Sequence, residues 1–231
     1  MEKYFDLSYL WGAIPALLPF LKVTFTFVFW SVLFGTLLGL LLTWMKIQPK
    51  NWIKKIAEGY TTVLRCTPSI VLLFLVYYGI PYIFMTFGVN IHHIEKIIFV
   101  IIAFTLQFAA IISQVFRSSY DALDKGQIEA GLSVGMTPFQ VFRRIIFPQA
   151  FLIALPNFGN SFVLLLHEGA IAYTIGLIDV VGKAELIIAD NFNTHALEIF
   201  LALAFIYWIL SLCIEKVFQW LEKIFRKGHI V

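Results

Sequence analysis

Charge is what this 231-residue chain has least of: Asp, Glu, Lys and Arg make up 13% of it, against 60% hydrophobic residues. Its mean hydropathy is +0.86. A soluble domain carries about 25% charged residues. With 24 Phe, 9 Tyr and 6 Trp, the chain has more apolar surface than one globular core can bury. Lipid is therefore its expected solvent. Cysteine is scarce as well. Cys66 and Cys213 fall beside or within apolar runs and suit small apolar packing rather than a disulfide or a metal site. His92 and His93 are adjacent, while His167, His195 and His229 are scattered. No metal-ligand spacing results, and no metal is expected. The signature G-x-x-x-x-G-K-[ST] is missing: Gly182-Lys183 is followed by Ala184 and preceded five residues earlier by Leu177. No Ser-His-Asp set and no paired carboxylates stand out, so neither catalysis nor a nucleic-acid partner is expected. The opening Met-Glu-Lys lacks the basic n-region and small-residue cleavage site of a removable signal peptide.

What is present is a series of long uncharged runs. Residues 23–45 lie between Lys22 and Lys46, 66–94 between Arg65 and Glu95, 97–116 between Lys96 and Arg117, and 145–167 between Arg144 and Glu168. Each reaches the roughly 20 apolar residues that a helix needs to cross a bilayer. A fifth run, 199–214, is shorter and spans if its helix starts near Thr194, with Glu198 close to the interface. The segment 7–21 is apolar but contains Gly12, Pro15 and Pro19, so it lies at the interface or leads into the first helix. The expected fold is an all-α integral membrane protein with five transmembrane helices, residues 1–231 forming one transmembrane domain.

Five spans put the termini on opposite sides, and the basic residues choose between them. Segments 46–65, 117–144 and 213–231 hold 13 of the 17 Lys and Arg residues. The other segments hold Lys3, Lys96 and Lys183, with Lys22 near the outer end of the first span. Acidic residues divide oppositely, six and eight. Since Lys and Arg favour cytoplasmic loops, the N-terminus is expected outside and the C-terminus inside.

The second inside loop, 121–137, has more structure than a connector needs. Gln127 to Val134 suits a short amphipathic helix with Ile128, Leu132 and Val134 towards one side, and Gly135 is placed to end it in a left-handed conformation. Thr137-Pro138-Phe139-Gln140 then fits a capping box, with Thr as N-cap, Pro first in the helix and Gln three after the cap. A short helix on the cytoplasmic face, turning tightly into the fourth span, is the expectation. On the residues alone, a purely structural surface helix is an equal reading.

Here the chain resembles a family. Gly126-Gln127-x-Glu129-Ala130-x-x-x-x-Gly135-Met136, followed by Ile146-x-Pro148-Gln149-Ala150, looks like the "EAA" loop of binding-protein-dependent ABC importer permeases. More narrowly, it is similar to those for polar amino acids. Arg65-Cys66-Thr67-Pro68 resembles the family's Arg-Gly-Thr-Pro. Leu73-Phe74, Tyr78-Gly79-Ile80-Pro81, Leu155-Pro156-Asn157 and Asn160 follow in the expected order. The opening Phe5-Asp6-Leu7 and Ile14-Pro15-Ala16-Leu17-Leu18-Pro19 resemble permeases of sulfur amino acids such as cystine.

The resemblance implies a type I ABC importer permease in a bacterial cytoplasmic membrane. Its loop helix would be a coupling helix docked on a separate ATPase subunit, which binds the ATP and Mg²⁺ while this chain binds no cofactor. A second permease chain, identical or a sister, and an extracytoplasmic solute-binding protein would complete the assembly. Gly126, Gln127, Glu129, Ala130 and Gly135 are the implied coupling residues. The spans contain few polar groups, so the candidate solute path is Gln107 and Gln114 in the third span and Asn157, Asn160, Ser161 and Leu164 in the fourth, with His167 and Glu168 at its outer end. On a regular helix Asn157, Asn160, Ser161, Leu164 and Glu168 share a face. The alternative for the amides is helix-to-helix hydrogen bonding. Two departures from the family stand out. Gln114 replaces a Glu one turn before Arg117, leaving a Gln–Arg hydrogen bond as what remains possible. His167-Glu168-Gly169-Ala170-Ile171 stands where Lys-x-Thr-Ser-Leu is common, and there outer-face solvation of His167 and Glu168 is the plainer reading. A secondary transporter or channel subunit is the competing class, although no internal repeat is evident.

Overall fold

The computed structural model describes residues 5–91 and 93–227; the opening Met-Glu-Lys, His92 and His229 lie outside them. Every regular element among the described residues is helical. Asp6 caps α1 (Leu7–Leu17) by accepting the Ser8 amide at 2.9 Å. Pro19 then sits in the 3₁₀ turn Leu18–Phe20, which hands the chain on to α2 (Leu21–Ile47). The segment 7–21 thus leads into the first span, and Leu7–Ile47 is continuous over 41 residues. At 1.5 Å per residue that is about 60 Å, twice a bilayer's hydrocarbon core.

The second inter-charge run is interrupted. α3 (Asn51–Cys66) stops at Thr67 and Pro68, both extended, before α4 (Ser69–Thr86). Proline disfavours a helical residue before it, which accounts for the break. α5 (Lys96–Asp121) follows, then α6 (Lys125–Ser133) and the four-residue α7 (Pro138–Val141). A π-helical stretch, Phe142–Ile146, joins α7 to α8 (Phe147–Glu168). The 3₁₀ segment Gly169–Ile175, a left-handed Gly176, α9 (Val180–Asp190) and α10 (Ala196–Lys227) complete the chain. Five stretches are long and apolar enough to cross a membrane: Leu7–Ile47, Ser69–Thr86, Lys96–Asp121, Pro138–Ile175 and Ala196–Arg226. They coincide with the five expected from the charge gaps.

α5 is the central post. Its Phe104, Phe108 and Ile112 are fully buried together with Phe27 of α2, Leu73 of α4 and Leu166 of α8. The approach of α2 to α5 depends on two glycines one turn apart. A Cβ on Gly35 would stand 2.9 Å from the Phe108 ring, and one on Gly39 would collide with the Ile112 methyl. Gly35-Thr-Leu-Leu-Gly39 is the small-xxx-small spacing that lets membrane helices pack backbone to backbone. A second core joins α1, α9 and α10 through Leu17, Val180, Ala184, Ile199 and Ala202.

Side-chain bonds pin the two ends of the bundle. At one end Arg117 donates to the Lys46 carbonyl at 2.7 Å, Lys46 to the Ser113 hydroxyl at 2.9 Å, and Phe151 meets Phe225 edge-on at 5.2 Å. The basic segments after α2, after α5 and at the end of α10 therefore gather at that end. At the other, Lys96 reaches the Gly176 carbonyl at 3.2 Å and Glu198 accepts the Asp6 amide at 2.9 Å. The expected packing of the two cysteines is not found. Cys66 and Cys213 are free and exposed on the helix surface, because their positions fall on the outward faces of α3 and α10.

Between the outer ends lies a buried carboxylate. Asp179, fully buried, accepts the Gly182 amide at 2.9 Å as N-cap of α9 and the Thr24 hydroxyl of α2 at 3.3 Å. Burial pushes its pKa up to about 6, against the opposing pull of those hydrogen bonds.

Candidate functional site

α6 is a short helix closed at both ends and standing off the bundle. Its N-cap Asp124 accepts the Gly126 amide at 2.9 Å. Its C-terminus is a full Schellman closure: Met136 N–H bonds the Gly131 carbonyl, Gly135 N–H bonds the Leu132 carbonyl, and Gly135 has φ +85°. A Cβ there would be strained in an otherwise open space. The turn then enters the capping box at Thr137 and Gln140, with both reciprocal bonds made. The expected helix, left-handed glycine and box are all found, with α6 beginning two residues earlier than expected and ending one earlier.

Its packing face differs from the expectation. Leu132 and Val134 point out, Val134 being 79% exposed. Contact with α7 and the π-helical stretch runs instead through Gly131, where an added Cβ would lie 2.9 Å from Ile145 Cδ1 and 3.2 Å from Val141 Cγ2. Only a residue without a side chain lets α6 lie that close, and sequence reasoning missed it. The available signal was a glycine in a helix interior, which costs about 1 kcal/mol against alanine and so needs a packing reason. Gln127, one turn before, accepts a hydrogen bond from Gln149 Nε2 of α8 at 2.7 Å. Gly126, Glu129, Ala130 and Gly135 are exposed. Of the five expected coupling residues, Gln127 holds α6 to α8 and Gly135 closes it, while Glu129 and Ala130 remain on its free surface.

The polar residues of the spans form a second site, and most of them meet. Gln107, buried in α5, donates to the Ser69 hydroxyl at 2.6 Å, and its Oε1 is buried without a partner. Ser69 also reaches the half-buried Glu168 of α8. Three helices thus bring Gln107, Ser69 and Glu168 together at one depth. That depth is eleven residues along α5 from Lys96, or about 16 Å, which is near the bilayer centre. Glu168 is therefore mid-membrane and not outer-face solvated, since the helical path continues past it to Ile175 before Gly176 meets Lys96. The break at Thr67-Pro68 sets the N-terminus of α4 at this level, where its positive dipole end faces the carboxylate. Ser69 was not among the expected residues. Its signal, a serine directly after the helix-breaking Pro68, becomes meaningful only when α5 and α8 are placed.

The expected stripe on α8 divides. Asn157, Asn160 and Leu164 are exposed, whereas Ser161 is buried and returns its hydroxyl to the Asn157 carbonyl at 2.8 Å. His167 pairs with Ser211 of α10 at 2.8 Å, beside the Tyr207 ring. Gln114 is half-buried, and no Gln114–Arg117 bond forms among the described residues. Arg117 is taken by Asp121 at 2.6 Å and by the Lys46 carbonyl. Exposed amides on a spanning helix are costly against lipid and imply a polar neighbour. Among the described residues no group of His, Cys, Asp and Glu could hold a metal ion.

Residues 31–227 match the family described as "Binding-protein-dependent transport system inner membrane component". The chain belongs to that family. The permease is 34% identical over 229 residues to the L-cystine transport system permease protein TcyL of Bacillus subtilis (strain 168), covering 99% of this chain and 95% of the relative. It is 34% identical to the probable amino-acid ABC transporter permease protein PatM of Vibrio harveyi, with 98% and 99% covered. The crystal structure of an amino acid ABC transporter with histidines superposes at TM-score 0.82, with 32% identity over 94% of this permease and 98% of that chain. The inward-facing MetNI methionine ABC transporter, 19% identical with TM-score 0.66, shares the fold. This permease is thus an ABC importer permease of type I fold, a multi-pass protein of the bacterial inner membrane.

Proposed function

We propose that this permease carries a polar amino acid inward, cystine being the first solute to test, with its N-terminus outside and its C-terminus inside. Its relatives' names supply the solute class, and the gathering of basic residues at the α6 end of the bundle supports the orientation. Transport is powered by a separate ATPase subunit that binds ATP and Mg²⁺, and a second permease chain completes the pathway. An extracytoplasmic binding protein delivers the solute. The observation that carries the reading is the build of α6. It is exposed, closed at both ends and bonded through Gln127 to Gln149, so a pull on α6 passes to α8. α8 carries Glu168 at mid-membrane and, two and three turns nearer the α6 end, Asn160 and Asn157, polar groups able to replace part of a zwitterion's hydration along the path.

Uptake by membrane vesicles supplied with binding protein tests this. Glu129→Lys and Gly135→Leu are expected to abolish uptake and recovery of the ATPase with the permease, while the chain still reaches the membrane. Undiminished uptake in both variants would reduce α6 to a surface helix. A cysteine at 50–56 should resist impermeant thiol reagents in intact cells, while one at the exposed Ala189 or Asp190 should react; the reverse pattern would invert the topology.

A further inference from the structure

α9 ends in a turn that its own residues do not favour. Phe192 N–H bonds the Ala189 carbonyl and Asn193 N–H the Ile188 carbonyl, each at 3.0 Å. This is a Schellman closure with Phe192 at the left-handed position. Two other helices among the described residues close in the same way. Gly88 ends α4, with bonds from Gly88 to Met85 and from Val89 to Phe84, and Gly135 ends α6. Those positions are glycine, at φ +76° and +85°. Phe192 has φ +51° and is followed by Asn193 at +63°, a backbone that bulky L residues rarely adopt. The turn is nonetheless held firmly. Asn191 Nδ2 donates to the Ile187 carbonyl at 2.8 Å, and the Thr194 hydroxyl to the Asn191 carbonyl at 2.6 Å.

The ring returns nothing to the fold for that strain, because it is 89% exposed. Hydrocarbon does not cover it either. Ser211 bonds His167, the neighbour of the mid-membrane Glu168, and lies fifteen residues from Ala196, the first residue of α10. That is about 22 Å along the helix, whereas the hydrocarbon ends about 15 Å from the bilayer centre. The turn before Ala196 therefore stands at the outer edge of the headgroups or beyond it. Phe87, eighteen residues past Ser69 at the end of α4, is likewise 79% exposed at the outer end. Asp190, Asn193 and Thr194 around Phe192 are all exposed. An aromatic point inside a polar rim is the anatomy of a docking hot spot.

Resting on the importer reading above, we propose that Phe192 is an anchor for the extracytoplasmic solute-binding protein, its ring entering an apolar pocket on that protein's face. The surface points outward beyond the hydrocarbon, and the family to which this chain belongs depends on such a protein. The closed turn fixes the ring in advance, so little freedom is lost on docking.

The assembled transporter in proteoliposomes, titrated with its solute-loaded binding protein, tests this. Phe192→Gly should raise about tenfold the binding-protein concentration that gives half-maximal ATP hydrolysis. Unstimulated hydrolysis and the amount of assembled complex should not change. The thermal midpoint should hold or rise, because glycine suits the left-handed position. Phe192→Asn, which also tolerates that conformation, should behave alike. A photoreactive benzoyl-phenylalanine at position 192 should capture the binding protein. An unchanged half-maximal concentration in both variants would overturn the proposal, as would capture of lipid or of a second permease chain in its place. Hydrolysis and uptake indifferent to binding protein in the unmodified transporter would overturn the importer reading as well, so the two failures are told apart.

Discussion

Adding one methyl group at Gly131 should uncouple this permease, and removing another at Ile145 should recouple it. In Gly131→Ala the new Cβ would meet Ile145 Cδ1 at 2.9 Å and Val141 Cγ2 at 3.2 Å. The first distance is closer than such atoms come, and the second is tight, so the Ile145 end must turn aside and Val141 give way, or α6 must lift. Overpacking of this kind costs about 1–3 kcal/mol. α6 has nine residues, too few to be a stable helix by itself, and it is held by its caps, the Gln127–Gln149 bond and this contact. Less the roughly 1 kcal/mol that alanine gains over glycine inside a helix, a net cost of about 1 kcal/mol moves a docked-to-undocked balance roughly fivefold. Ile145→Val removes the offending Cδ1 at a cost of about 1 kcal/mol in itself. The pair should therefore be non-additive, with the double variant more active than Gly131→Ala alone. The assay is solute uptake and binding-protein-stimulated ATP hydrolysis in proteoliposomes, with the amount of assembled complex measured in parallel. Wild-type uptake in Gly131→Ala, or no recovery on adding Ile145→Val, would refute the claim that this close approach positions α6.

Three further outcomes follow from the packing and the charges. Gly39→Val should drive α2 from α5 and lower the thermal midpoint of the purified protein by several degrees or prevent assembly, whereas Gly12→Ala, inside α1 with nothing within 4 Å of its added carbon, should hold it or raise it slightly. Asp179 has a folded pKa raised from 3.8 to about 6, so its favourable contribution is complete below pH 3.8 and is lost as pH rises through 6. The shift corresponds to roughly 3 kcal/mol. Asp179→Asn, which keeps the cap, should gain thermal stability relative to wild type as pH goes from 5 to 8, and a pH-independent difference would count against the buried-carboxylate reading. Along α8, Glu168→Gln and Asn160→Leu should change uptake affinity or solute preference about tenfold without loss of assembled complex. Unaltered kinetics in both would leave the binding protein as the determinant of selectivity.

The residues themselves determined whatever depends on neighbours along the chain. Spans follow from runs free of charge, because a charged group in hydrocarbon is costly wherever the rest of the fold lies. The basic asymmetry follows from counting Lys and Arg between those runs. The end of α6 at Gly135 and the box at Thr137 and Gln140 were legible because caps and turns are made within four to six residues. The tertiary structure alone decided which distant groups meet. Glu168 stands at the end of its uncharged run and reads as outer-face, yet the helix continues past it and the break at Pro68 brings Ser69 to the same depth. Gln114 and Arg117 are close in sequence but unbonded, because Asp121 and the Lys46 carbonyl give Arg117 better partners. Gly131, Gly35 and Gly39 read as helix-weakening residues until α7, the π-helical stretch and α5 are set against them. Their role is to leave room, and the space they leave is defined by helices that arrive from elsewhere in the chain.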